Sequence, residues 1–183
     1  MKPLYDAIGD GEITGTIGLV EWRNKTVLLD SGVLQDFVEL RLAPVGYLSL
    51  PKSDQIVDFA SDILSALASM HKQGWVHCHV NFDNTVKLPS GGWILIDLES
   101  AMKMEPPAET APWSSFQIRR FQGDLRRWMP TDDVALVRVM IKDLNSFNGL
   151  DPERRDAILK CFEGEPTATV ALEKLAALYP PPK

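Results

Sequence analysis

Cysteine is scarce in this chain, with only Cys78 and Cys161 among 183 residues. Two cysteines cannot build the disulfide framework that staples a small secreted domain. Positive charge is also in deficit. Nineteen Lys and Arg stand against 25 Asp and Glu, a net charge of −6, which argues against general binding to nucleic acid or anionic membrane. No apolar run approaches the roughly 18 residues that would span a bilayer. Met1-Lys2-Pro3-Leu4-Tyr5-Asp6 holds no signal-peptide h-region. These absences make an intracellular, cytoplasmic protein the expectation, with neither nucleic acid nor membrane as partner. What is present suits one compact unit: 45% hydrophobic residues supply a core for a chain of this length.

Residues 9 to 42 read as strands. Ile13 to Trp22 and Lys25 to Leu29 are rich in β-branched and apolar residues, with Arg23-Asn24 between them as a hairpin tip. Phe37 to Leu42 alternates and stops at Ala43-Pro44. Val45 to Pro51 is a connector. Ser53 to Lys72 is an amphipathic helix, because Ile56, Phe59, Ala60, Ile63, Leu64, Leu67 and Met70 fall at three- and four-residue steps and Gly74 follows. Thr85 to Leu88 and Trp93 to Ile96 form a hairpin through Pro89-Ser90-Gly91-Gly92. Prolines keep residues 99 to 131 irregular, with Trp113, Phe116, Phe121 and Trp128 interleaved with arginines. Asp132 to Phe147, Pro152 to Phe162 and Thr167 to Tyr179 read as three further helices.

One stretch carries chemistry. Met70-His71-Lys72-Gln73-Gly74 closes the long helix, His77-Cys78-His79-Val80-Asn81-Phe82-Asp83-Asn84 follows, and Asp97-Leu98-Glu99 comes after the hairpin. This order resembles the protein-kinase superfamily, in which a helix ends in L-H-x-x-G and H-R-D-x-x-x-x-N and D-F-G follow. Val38 to Leu48 is similar to the strand-to-hinge segment, and Asp133 to Leu144 is similar to the buried F helix. The resemblance spans roughly residues 37 to 179. It implies an α+β, protein-kinase-like fold: a mainly helical C-lobe over residues 45–183, and a reduced N-lobe-like sheet and hinge over residues 1–44. The helix that supplies a kinase's paired Glu is absent, since Asp30 to Asp36 is too short for it.

Phosphoryl transfer needs cations around the phosphates, a metal, and a carboxylate to orient the acceptor. The resemblance implies Asn84 and Asp97 as metal ligands, each offering the hard oxygen that Mg²⁺ prefers. The base position holds His79, and a neutral imidazole brings no negative charge. Asp83, beside Asn84, substitutes for the missing carboxylate only if the loop turns differently, and a lost base is the preferred reading. Cys78 stands in place of the Arg that pairs with a phosphorylated activation loop, a pairing that a thiol cannot make. Glu99 takes the Gly position of D-F-G, where a carboxylate repels phosphates. Lys25 and Leu42 are the residues implied to face a nucleotide, with Mg-ATP the only cofactor implied. The Gly9-Asp10-Gly11-Glu12-Ile13-Thr14-Gly15 run is one residue off the kinase glycine loop.

Three readings follow. The preferred one is a pseudokinase, catalytically degenerate at His79 and Asp83, which binds a protein partner such as a kinase or a kinase regulator. The second is a divergent Mg-ATP-dependent phosphotransferase using Asn84 and Asp97 for metal and His79 or Asp83 as base. The third is a decoy competing for a kinase's partners.

Overall fold

The computed structural model describes residues 2–28, 34–104 and 128–179. The fold is α+β, built from helices and small antiparallel sheets. The aromatic and arginine-rich run that includes Trp113, Phe116 and Phe121 lies outside the described residues, as do Pro107-Ala108-Glu109 and the Pro180-Pro181-Pro182 tail.

The centre is the helix α2 (Ile56–Lys72), preceded by a 3-10 turn over Ser53–Gln55. Its apolar face is fully sequestered at Ile56, Phe59, Ala60, Ile63, Leu64, Leu67 and Met70. Burial of such side chains stabilises by about 1.5–3 kcal/mol each, and this stripe organises the rest of the fold. Gly74 follows at φ 77°, a left-handed angle that stops the helix at little steric cost. Around α2 pack α3 (Pro130–Lys142), the short α4 (Asn145–Asn148), α5 (Pro152–Lys160) and α6 (Ala168–Leu178). Asp151 and Thr167 cap α5 and α6 by accepting the N–H groups of Arg154 and Val170, as first-turn donors require.

The sequence places one helix over Asp132–Phe147, whereas the structure breaks it at Asp143–Leu144. Tertiary bonds account for the break. The Ser146 hydroxyl donates to Pro51 O at 2.7 Å, and the Ser53 hydroxyl donates to Ser146 O at 2.9 Å. These bonds tie the following turn to the start of α2 while Leu144 is buried in extended geometry.

A second difference lies in the first sheet. Strands β1 (Gly18–Leu28) and β2 (Leu34–Ala43) form one long antiparallel hairpin. Arg23 and Asn24 are not its tip. They sit mid-strand opposite Glu39 and Val38. The ladder runs on to Leu28 opposite Leu34.

A third difference is the helix α1 (Lys2–Gly9), in a stretch where the sequence reading places no element. Leu4 and Tyr5 bury against Ile13, Met70, Trp75, Leu98 and Ala101. The chain then runs through Gly15 to Ile17 in parallel alongside β5 (Trp93–Leu95), with Ile17 N donating to Leu95 O and Leu95 N to Gly15 O. Gly15 is required here. Its φ is 74°, and a Cβ would lie 2.8 Å from the Ala66 methyl of α2.

Two further ladders position the site. β3 (Trp75–Val76) pairs with β6 (Met102–Lys103), and β4 (Thr85–Lys87) pairs with β5 as the sequence predicts. Phe59 of α2 meets Trp93 edge-on at 5.4 Å and stacks on Phe82 at 5.9 Å, fixing the hairpin and the preceding loop against the core.

Candidate functional site

The loop from His77 to Asn84 is held at both ends. At its start, the carboxylate of Asp133, fully buried on α3, accepts the N–H groups of His77 and Cys78, each at 2.8 Å. Trp128 Nε1 donates to the same carboxylate at 3.0 Å, and His71 Nε2 lies 3.0 Å from it. Donors from four residues compensate one buried charge, as burial of a carboxylate demands. At the other end, Asn81 accepts the Asn84 N–H, and Asn84 Nδ2 donates to His79 O at 2.8 Å. The loop closes on itself.

His77 connects this loop to the segment carrying Asp97. Its Nδ1 accepts the His79 N–H at 3.3 Å, so the ring proton is on Nε2, which donates to Ile96 O at 3.1 Å. Burial pushes the imidazole pKa down, outweighing the nearby Asp133 carboxylate. His77 is therefore a neutral spacer between His79 and the residue before Asp97.

Asp97 stands at φ 59°, ψ 59°, and Cys78 at φ 64°. Non-glycine residues in this region carry strain, which the surrounding bonds must hold. The result is a juxtaposition: His79 Nδ1 is 3.5 Å from Asp97 Oδ2, with the two side chains 29% and 31% exposed. That separation suits an ion pair when the imidazole is protonated, and is long for a hydrogen bond.

His79, Asn84 and Asp97 are thus brought together, with Asn84 one residue before β4 and its carbonyl accepting Ile96 N–H. Asp83 is exposed within the 3-10 turn Phe82–Asn84. Leu42 packs, half-buried, against the cluster formed by α1 and Leu98. Lys25 pairs with Phe37 in the hairpin, about 17 Å along β2 from Leu42 at the usual strand rise. The two residues implied to face a nucleotide are not adjacent.

Asn84 and Asp97 each carry a side-chain oxygen of the kind a hard divalent cation takes. Two protein ligands plus phosphate oxygens are enough for Mg²⁺, so the residue types fit, although a protonated His79 would compete for Asp97. Among the described residues no three His, Cys, Asp or Glu side chains converge on a metal site.

Tyr5 has no place among the sequence-predicted site residues. Burial first, then the carboxylates of Asp97 and Glu99, push its phenol pKa up. Tyr5 and Leu98 share one apolar cluster, so α1 lies against the turn that begins at Asp97. The apolar Leu4-Tyr5 pair behind Pro3 was the available signal. Cys78 is buried, and its thiol pKa is raised far above the ordinary range by desolvation and by Asp133, which makes it packing rather than a nucleophile.

Among the described residues no helix is long and apolar enough to cross a membrane. No protein-family model matches the chain, and no curated protein is significantly similar to it.

Proposed function

We propose that this chain is a protein-kinase-like domain without phosphotransferase activity, a pseudokinase that acts as a protein-binding or regulatory module. The observation that carries the reading is the His79–Asp97 pair at 3.5 Å. In the kinase-like arrangement the first position belongs to the carboxylate that orients the acceptor hydroxyl, and the second to a metal ligand. An imidazole in the first position supplies no negative charge and, once protonated, neutralises the second. Asp83, exposed on the outer turn, offers no evident replacement, and the exposed Glu99 adds repulsion toward phosphates. The continued pinning of the loop by Asp133 supports a scaffold kept for its packing.

A second reading draws on Asn84. Its Nδ2 is committed to His79 O, leaving Oδ1 to a cation alongside Asp97, which supports a divergent Mg-ATP-dependent phosphotransferase. A thermal-shift titration with millimolar ATP, with and without Mg²⁺ or Mn²⁺, separates the two, because a ligand that binds the native state must raise its Tm. The pseudokinase reading expects no metal-dependent shift and no turnover. Substrate-dependent ATP turnover that disappears in Asp97→Ala would overturn it in favour of the second reading.

A further inference from the structure

Half of the conspicuously exposed large apolar side chains among the described residues come from one short stretch. Val45, Tyr47, Leu48 and Leu50 are 79%, 52%, 68% and 63% exposed. The stretch is held firmly from beneath. Tyr47 and Lys87 exchange both backbone hydrogen bonds at 3.0 and 2.9 Å, and Trp93 Nε1 donates to Ser49 O at 3.2 Å. A Cβ at Gly46 would meet the Lys87 carbonyl oxygen at 2.8 Å, so the glycine lets the connector press onto β4. Apolar side chains on a backbone fixed in this way are preorganised for contact, and such a concentration of them marks an interaction surface.

The floor of the strip continues into a cleft. Lys87 and Trp93, which anchor the connector, also line a cavity of about 370 Å³ together with Asp58, Asp62, Gly91 and Gly92. Its charge is acidic. Asp58 and Asp62 lie one turn apart on α2, while the Lys87 ammonium sits 4.6 Å over the Trp93 ring. Asp62 accepts the Trp93 N–H at 2.9 Å. Burial first, with Asp58 adding to it, pushes the Asp62 carboxyl pKa up, and a cation entering the cleft would oppose that rise by direct attraction.

We propose that the Val45–Leu50 strip and the Asp58–Asp62 cleft form one docking surface for an extended peptide segment that combines aliphatic side chains with Lys or Arg. The aliphatic residues cover the strip, and the cation enters the cleft. Six connector residues span about 20 Å when extended, the reach of a short linear segment. A second copy of this chain is a poorer occupant, because a two-fold contact would set acidic cleft against acidic cleft. The inference deepens the protein-binding reading above, while its residues are separate from His79 and Asp97.

The test is affinity selection of random dodecapeptides on the intact chain, followed by fluorescence anisotropy with the enriched peptides. Enrichment of aliphatic residues beside Lys or Arg is expected. Binding should fall roughly tenfold or more in Leu48→Ser/Leu50→Ser and in Asp58→Lys, and should weaken with added salt. All three changes are at exposed positions, and circular dichroism verifies folding. Enrichment of acidic peptides, no enrichment, or affinity unchanged in both variants overturns the proposal. So does sedimentation showing a dimer that Leu48→Ser/Leu50→Ser dissociates. The Mg-ATP titration run on the parent chain keeps the two readings apart: a metal-dependent shift with peptides enriched removes only the pseudokinase reading, and no enrichment with no shift removes only the docking surface.

Discussion

Asp133 and His77 sit on elements far apart in the chain, yet the carboxylate of the first accepts the main-chain N–H of the second at 2.8 Å. The same carboxylate also accepts Cys78 N–H. One side chain on α3 therefore sets the path of the loop that presents His79. Replacing it with Ala would leave two buried backbone N–H groups without this acceptor. Asp133→Ala should cost about 3–5 kcal/mol of stability, measured by urea denaturation. Asp133→Asn, which keeps one carbonyl acceptor, should cost less.

The neutral state of His77 makes a pH prediction with a definite sign. Its native pKa lies below the ordinary 6.5, so below that pH the unfolded chain binds a proton that the folded chain refuses. This contribution is fully present above pH 6.5 and is lost as pH falls toward the native pKa. Unfolding free energies measured from pH 7.5 to 5.0 should decline with acidification. A His77→Asn variant should be less stable at neutral pH and show a shallower decline.

Gly11 and Gly15 share nearly the same left-handed φ, 77° and 74°, but only Gly15 is crowded. Gly11→Ala meets open space and should cost only the conformational strain, about 1 kcal/mol. Gly15→Ala must also displace the Ala66 methyl, and should cost about 1–3 kcal/mol more. Thermal denaturation of the pair separates backbone strain from overpacking.

Both thiols should resist alkylation while the chain is folded. Cys78 and Cys161 are buried, and burial raises both thiol pKa values. Iodoacetamide at pH 8 should modify neither residue appreciably in native protein, and both on adding denaturant, read by mass spectrometry.

Placing a carboxylate at position 79, opposite Asp97, should have two effects. His79→Asp places like charges together, destabilising the metal-free protein by about 1 kcal/mol. It should also confer an Mn²⁺-dependent rise in Tm larger than that of the parent chain, since two carboxylates then converge. A thermal-shift titration with Mn²⁺ alone checks both.

What the sequence disclosed follows from how local each signal is. The stripe of α2, the Pro89–Gly92 hairpin and the helices opening at Pro152 and Thr167 depend on near neighbours, and they were legible. The Arg23-Asn24 pair misled because residue types that favour turns also occur inside strands; the strand opposite it, at Val38 and Glu39, lies beyond any local window. The break at Leu144 was invisible because Ser53 and Pro51 produce it. Of the candidate site, the grouping of His79, Asn84 and Asp97 was suggested only by the family resemblance, and the structure sets His79 Nδ1 3.5 Å from Asp97 Oδ2. The approach of Tyr5 was not, since only tertiary packing brings α1 to Leu98.

The placement of that first helix constrains how the molecule assembles. Leu4, Tyr5 and Ile13 find their cover in Trp75, Leu98 and Ala101, and Thr16 finds its bridge partner in Leu95. A chain released before Leu98 would leave those early side chains only partly covered, by Met70 and Trp75, so the amino-terminal segment must wait for distant sequence. Closure of that loop belongs to the slow, non-local part of folding. Fragments that stop short of it should be sticky rather than merely incomplete.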